Sequence, residues 1–404
     1  MGGKGLVPEL RFGEFGGDWT LDKLGAITKF SKGRGISKAD IEDEGITPCI
    51  RYGELYTTYD TVINEIASYT NVSEQNLVFS RGGEVLVPAS GEDSLDIATS
   101  SVVLNKGVAL GGDLNILNSE LDGVFLSYSL SYKNRFQIAR VAQGNSVVHV
   151  YASQLSCLDV CFPEEKEQQK IAAFLTAIDE KLNQLRRKRD ALQSYKRGVM
   201  QKIFSQEIRF AQDDGAAFPD WKEKELSEVL EPVIREVEKP THNYLAIGVR
   251  SHMKGTFQKP GFDPDTIAMD KLFLVKNSDL VVNITFAWEG AIAIVKPEDD
   301  GGLVSHRFPT YLFKEDLLRD YFRYVLSERR FKYTLDLISP GGAGRNRVLS
   351  KKDFLKIKWA LPEVGEQQKI ATFLSVIDKK IDAVNQKITQ TESFKKGLLQ
   401  KMFV

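Results

Sequence analysis

A stretch of 42 residues is written twice in this chain, and that repeat limits the possible folds more than any other feature. Residues 163–204 recur without a gap as residues 362–403, with 20 identities. Glu167-Gln168-Gln169-Lys170-Ile171-Ala172 returns as Glu366-Gln367-Gln368-Lys369-Ile370-Ala371. Ile178-Asp179 returns as Ile377-Asp378, Gly198 as Gly397, and Gln201-Lys202 as Gln400-Lys401. Phe15-Gly16-Gly17-Asp18-Trp19 is echoed by Phe218-Pro219-Asp220-Trp221. Self-similarity at a fixed offset marks a repeated structural unit. The order is therefore module, repeated segment, module, repeated segment.

Each repeated segment reads as one long helix. Ile171, Leu175, Ile178, Leu182, Leu185, Leu192 and Val199 recur at steps of three and four, as do Ile370, Leu374, Ile377, Ile381, Val384, Ile388 and Leu398. That spacing is a coiled-coil seam. Pro163 and Pro362 suit a first helical position, and the glutamates after them suit the positive end of the helix dipole. About 40 residues at 1.5 Å each give a rod of roughly 60 Å. A lone helix with one apolar stripe needs a partner, and the nearest partner is the other copy. Antiparallel packing would place the modules at opposite ends of a pseudo-two-fold molecule. Gly198 and Gly397 each weaken a helix by about 1 kcal/mol relative to alanine, so their matched positions predict a close crossing or a joint.

The modules, residues 20–162 and 222–361, share little sequence. Both read as mixed α/β (α+β). Strands are expected at 84–88, 279–283 and 291–295, and short helices at 124–130 and 317–326. Basic and polar residues on glycine-rich loops suit phosphate and base-edge contacts. The candidates are Arg34 and Lys38, then Arg51 with Tyr52 and Tyr56, in the first module. In the second they are Arg250, His252 and Lys254, Asn283 and Thr285, His306 and Arg307, and Arg345, Asn346 and Arg347. A short basic loop is more often plain solvated surface. Asn283, Thr285 and Trp288 equally suit a turn.

The net charge of −1 does not announce a nucleic-acid binder. Residues 1–162 hold 13 basic and 20 acidic groups, and residues 205–361 hold 24 of each, so binding must come from local patches or shared partners. No motif of a motor ATPase, adenine methyltransferase, zincin or serine hydrolase occurs, and no metal site is expected. No apolar run is long enough for a membrane span. Cys49, Cys157 and Cys161 make a poor disulfide framework, and the first six residues lack an apolar signal region, so a reducing cytoplasm is expected.

The repeated helix, Pro-Glu-x-x-Glu-Gln-Gln-Lys-Ile-Ala-x-Phe-Leu-x-x-Ile-Asp, resembles the conserved regions of type I restriction-modification specificity subunits. Arg11-Phe12 with Asp18-Trp19, and the ending 395–403, are similar to that family's usual module boundaries. The resemblance implies target-recognition domains at 1–162 and 207–361, a central conserved helix at 163–206 and a C-terminal one at 362–404. It implies a non-catalytic chain that binds a bipartite double-stranded DNA target. Such a chain recruits two methyltransferase subunits and, through them, restriction subunits. S-adenosylmethionine and ATP with Mg would belong to those partners, and no cofactor to this chain. Two other classes stay open at this point: a fused restriction-methylation enzyme or nuclease, and a coiled-coil adaptor without a DNA role.

Overall fold

In a computed structural model of the chain, residues 6–404 are described apart from 145, 146, 340 and 342–346. The chain divides into two compact units, residues 1–189 with 383–404, and residues 190–382. No helix among the described residues is long and apolar enough to cross a membrane.

The first unit holds the first module. Its five-stranded sheet runs in the order Thr28–Lys32, Leu114–Ser119, Glu84–Pro88, Ser101–Val103, Val62–Ile63. Glu84–Pro88 is buried at every position, which is why its sequence shows a continuous apolar run rather than alternation. Pro88, lacking a donor, ends it. A three-stranded sheet, Ser68–Thr70, Thr47–Ile50 and Ala109–Leu110, lies beside it in sequence. The helices Gly123–Tyr132 and Arg135–Val141 follow. Leu126, Leu130 and Ile138 from these helices share one core with Val85, Val87 and Leu117.

The second unit holds a different arrangement of the same ingredients. A five-stranded sheet orders Glu236–Glu238, Lys271–Leu274, Leu303–Val304, Tyr244–Val249, Thr256–Phe262. A four-stranded sheet orders Leu230–Val233, Thr310–Phe313, Leu280–Val282, Ile292–Ile294. The helices Arg319–Val325 and Arg329–Leu337 close the module. In both units the module is tied off in the same way. Thr20–Lys23 pairs antiparallel with Asp159–Phe162, and Lys222–Glu225 with Lys358–Leu361, so the strand that opens each module meets the strand that leads into its long helix.

The long helices are Glu165–Phe204, the first rod, and Val364–Met402, the second rod. Ile171, Leu175, Ile178, Leu182 and Leu185 are all buried, as are Ile370, Leu374, Ile377, Ile381 and Val384. Within the first unit Asp179 meets Lys395, and Arg186 meets Glu392. Within the second, Lys196 meets Asp378. As numbering rises on one rod it falls on the other, so the rods run antiparallel.

Two expectations need correction. Pro163 and Pro362 are not the first helical residues but each precedes its rod by two residues. Their carbonyls accept from Gln168 Nε2 at 2.8 Å and Gln367 Nε2 at 2.9 Å. Gly198 and Gly397 mark no close crossing within the chain, because a Cβ on either would meet nothing within 4 Å.

Candidate nucleic-acid interface

The second module gathers several of its polar residues around one cleft. The cleft, about 620 Å³, is lined by His252, Trp288, Arg329, Lys332, Tyr333 and Arg347, with Glu289 and Asp336. Three local structures build it. The first is the turn at 250–255, where His252 (φ 60°) and Met253 (φ 55°) both take left-handed backbone. That conformation is uncommon for residues with a Cβ, and for Met253 it is costly. It is held by backbone bonds from His252 N–H to Glu289 O and from Met253 N–H to Gly290 O, each 2.8 Å. The second is the 3-10 turn Ala287–Glu289, which carries Trp288. The third is the helix Arg329–Leu337.

Arg347 joins the second and third. Its Nε donates to Ser339 O at 3.1 Å, its Nη2 to Asp336 O at 3.1 Å, and its Nη1 lies 2.8 Å from the Asp336 carboxylate. Its guanidinium sits 5.2 Å over the Trp288 ring. Arg347 thus closes the carbonyl end of the helix, where a cation is favoured, and most of its donors are already used. The acids in the cleft are also engaged: Asp336 by Arg347, and Glu289 by Ser251 Oγ at 2.6 Å. Lys332 Nζ lies 3.3 Å from His252 Nδ1. Tyr333 is 61% exposed, and Arg329 is exposed. The remaining character is cationic and aromatic, which suits a phosphate backbone and stacked or edge-on bases.

Several candidates also make contacts that shape the chain. Asn283 is buried, and its Oδ1 accepts from Thr285 N–H at 3.2 Å. Thr285 O accepts from Trp288 Nε1 at 3.2 Å. This pair therefore shapes the turn that aims Trp288, and short polar side chains favour such turns. Arg250 donates to Thr256 O at 2.9 Å and stacks 5.0 Å over Phe257. Lys254 is exposed beside it. His306 and Arg307 are exposed on another loop, and His306 lines a separate cavity with Lys351 and Lys352. Arg345 and Asn346 lie outside the described residues.

In the first module Arg34 and Lys38 are exposed, with Lys38 opening a short turn capped by Ser37. Arg51 is not a free cation: its Nη2 meets Glu54 Oε1 at 3.1 Å, and its backbone N–H donates to Glu54 Oε2 at 2.7 Å. Tyr52 packs against the core, and burial raises the Tyr56 hydroxyl. The sequence reading missed a different cluster. Lys32 Nζ lies 5.8 Å over Tyr151, whose ring stacks at 6.2 Å on His149, and His149 Nδ1 lies 3.1 Å from Ser90 Oγ. Phe136 is 71% exposed on Arg135–Val141. The signal that could have found the missed residues is basic and aromatic interleaving on helices, as in Arg329-Arg330-Phe331-Lys332-Tyr333.

Glu328, just before the helix of the cleft, is half-buried and makes no capping bond; burial pushes its carboxyl up to about 7. A carboxyl raised in the folded state is neutral in both states at low pH. It penalises folding once it must ionise, so stability falls as pH rises from its unfolded value through about 7. Glu328→Gln is expected to stabilise the chain by about 1–2 kcal/mol at pH 8, allowing for partial exposure. The gain should vanish below pH 4. Paired thermal melts at the two pH values check this, and an equal gain at both would refute it.

The module–rod joint is the same in both units. Glu167 accepts from Arg11 Nε at 2.8 Å and Nη2 at 2.7 Å. Glu366 accepts from Arg209 Nε at 3.1 Å and Nη2 at 2.7 Å. Gln168 Oε1 accepts from Asp122 N–H at 2.9 Å, and Gln367 Oε1 from Leu318 N–H at 2.8 Å. Phe12 meets Phe174 edge-on at 5.6 Å, as Phe210 meets Phe373 at 5.7 Å. Among the described residues no group of three His, Cys, Asp or Glu could hold a metal ion.

Comparison with known proteins agrees with this duplicated plan. The family model for the type I restriction modification DNA specificity domain matches twice, at residues 16–193 and 219–393. The chain is 24% identical over 409 residues to the type I restriction enzyme MjaVIII specificity subunit of Methanocaldococcus jannaschii, covering 95% of this chain and 91% of that one. It is 25% identical over 295 residues to the putative MjaX specificity subunit of the same organism, covering 70% and 67%. In fold it is similar to the S subunit of a type I restriction-modification system from M. genitalium, with a TM-score of 0.63 and 18% identity over 98% of this chain and 99% of that one. It is also similar to a chain from a structure describing complex assembly and conformational transition of the type I R-M system, with a TM-score of 0.53 and 15% identity over 95% and 97%. Two copies of the domain, spanning most of the sequence, place the chain in the type I restriction-modification DNA specificity family.

Proposed function

We propose that this chain is the non-catalytic specificity subunit of a type I restriction-modification complex, and that each module reads one half of a bipartite double-stranded DNA target. The observation that carries the reading is the contrast between joint and face. The two modules attach to the rods through the same Arg–Glu and Gln contacts, yet their exposed polar clusters differ in residue and position. One frame with two different faces suits one complex reading two different sequences. The repeated rods offer two similar docking surfaces for two methyltransferase subunits, and restriction subunits join through that core in the cytoplasm. S-adenosylmethionine and ATP with Mg are held by those partners; this chain holds no cofactor.

The test is module exchange. Replacing residues 222–361 by the module of a relative should change one half of the methylated sequence and leave the other half as it was. Methylation mapping reads the result, and a change in both halves would sink the two-reader model.

Within the second module the cleft is the proposed reading site. Lys332→Ala should weaken binding to all sequences alike and lower the slope of log K against log salt by about 0.9, the release expected from one phosphate. A binding series from 50 to 200 mM salt on the assembled complex checks it. An unchanged slope would place Lys332 away from the phosphates.

A further inference from the structure

We propose that Asp179 and Asp378 are positioning residues, each fixing the angle between a module and the rods, and that these two joints set how strictly the complex enforces the length of unread DNA between its half-sites. The inference rests on the two-reader function above.

Each carboxylate ties three elements together. Asp378, on the second rod, accepts from Tyr324 Oη of the module helix at 2.8 Å and meets Lys196 Nζ of the first rod at 2.6 Å. Asp179, on the first rod, accepts from Tyr128 Oη at 2.6 Å and meets Lys395 Nζ of the second rod at 2.5 Å. In both joints the triangle is closed, with Lys196 5.1 Å over the Tyr324 ring and Lys395 5.3 Å over the Tyr128 ring. Burial, reinforced by the neighbouring carboxylate, raises both tyrosine hydroxyls well above their usual range, so each stays a donor.

A single attachment leaves a module free to turn about it. Here there are two. Gln168 and Gln367 bind the backbone just before or at the start of the same module helices. The aspartates lie 11 residues further along the same rods, roughly 16 Å at helical rise. Two directional contacts that far apart define an angle. The tyrosines precede their aspartates by 51 and 54 residues, so the joint is kept although the intervening stretches differ in length. Apolar packing alone could hold a module on, but it is not directional.

The experiment uses the full chain assembled with its methyltransferase subunits. Duplexes carry the mapped bipartite site with the native spacer, one base pair fewer, and one more. Tyr324→Phe removes only the hydroxyl and keeps the ring under Lys196. It is expected to raise methylation of the altered-spacer duplexes, relative to the native duplex, by about tenfold, the scale of one mismatched base pair. Discrimination against base changes inside the half-sites should stay as it was. Tyr128→Phe should do the same at the other joint and covers the case in which Tyr324→Phe does not assemble. Assembled variants of both kinds with unchanged spacer ratios, or with methylation lowered in equal proportion on all three duplexes, would overturn the inference while leaving the two-reader function intact. A wild-type complex without sequence preference would overturn both.

Discussion

Glu366→Ala is expected to cost the chain about 3 kcal/mol. The side chain of Glu366 is fully buried and serves three donors: Arg209 Nε at 3.1 Å, Arg209 Nη2 at 2.7 Å and Trp221 Nε1 at 3.0 Å. Removing one partner of a buried pair leaves the other charge uncompensated, which costs roughly 3–5 kcal/mol. The lower end applies because the Arg209 side chain is 23% exposed and retains some water. Glu366→Gln keeps the shape and one acceptor for Trp221 and should cost about half as much. Glu167→Ala is the matched experiment at the first joint. There Arg11 is 13% exposed, and Trp19 lies instead against Phe125 and Phe403 at 5.8 and 6.3 Å. Denaturant midpoints of the full chain measure all three variants. A cost under 1 kcal/mol for Glu366→Ala would show that the pair is dispensable.

These glutamates also show where sequence reading stops. The repeat displayed Glu-Gln-Gln twice, and at a helix start an acid is adequately explained by the dipole. Nothing local says that Glu167 is instead fully buried against an arginine 156 residues away. The rods themselves were legible, because an apolar residue every three or four positions is a property of the chain alone, and twelve of the fourteen residues on that spacing are buried, Leu192 and Val199 being half-buried. The strands expected at 84–88, 279–283 and 291–295 are found at 84–88, 280–282 and 292–294, because short continuous apolar runs are likewise a property of the chain alone. The surroundings of the polar candidates were not legible. Arg51 was grouped with tyrosines as a DNA contact, although Glu54, three residues on, takes it as a partner. Asn283 suits a DNA contact or a turn from sequence alone, and its Oδ1 accepts from Thr285 N–H at 3.2 Å. Helix Arg329–Leu337 contributes Arg329, Lys332 and Tyr333 to the cleft, and its basic-aromatic face carries no glycine-rich loop signal. Which cations face outward depends on long-range packing, and periodicity carries no record of it.

Rod length should set the distance between the two half-sites. The rods run antiparallel, with Asp179 facing Lys395 and Lys196 facing Asp378. One heptad inserted after Arg189 and one after Asp382 keep the apolar seam in register, because the seam repeats at the same spacing. Each adds about 10 Å of helix. At about 3.4 Å per base pair along B-DNA, that is about three base pairs. The unread spacer should therefore lengthen by up to about three base pairs, and the two half-site sequences should stay the same, because no residue moves within its own module. Seven residues return each module nearly to its original helical face, with a drift of about 20°. Three base pairs turn the DNA by much more, about a third of a turn. The complex has to absorb that difference by twisting DNA or flexing a joint, so the realised change falls short of three and activity drops. Methylation mapping of the lengthened variant gives the spacer directly. An active variant with the original spacer would show that the rods are not the ruler, and would leave the tyrosine–aspartate–lysine joints to account for the spacing alone.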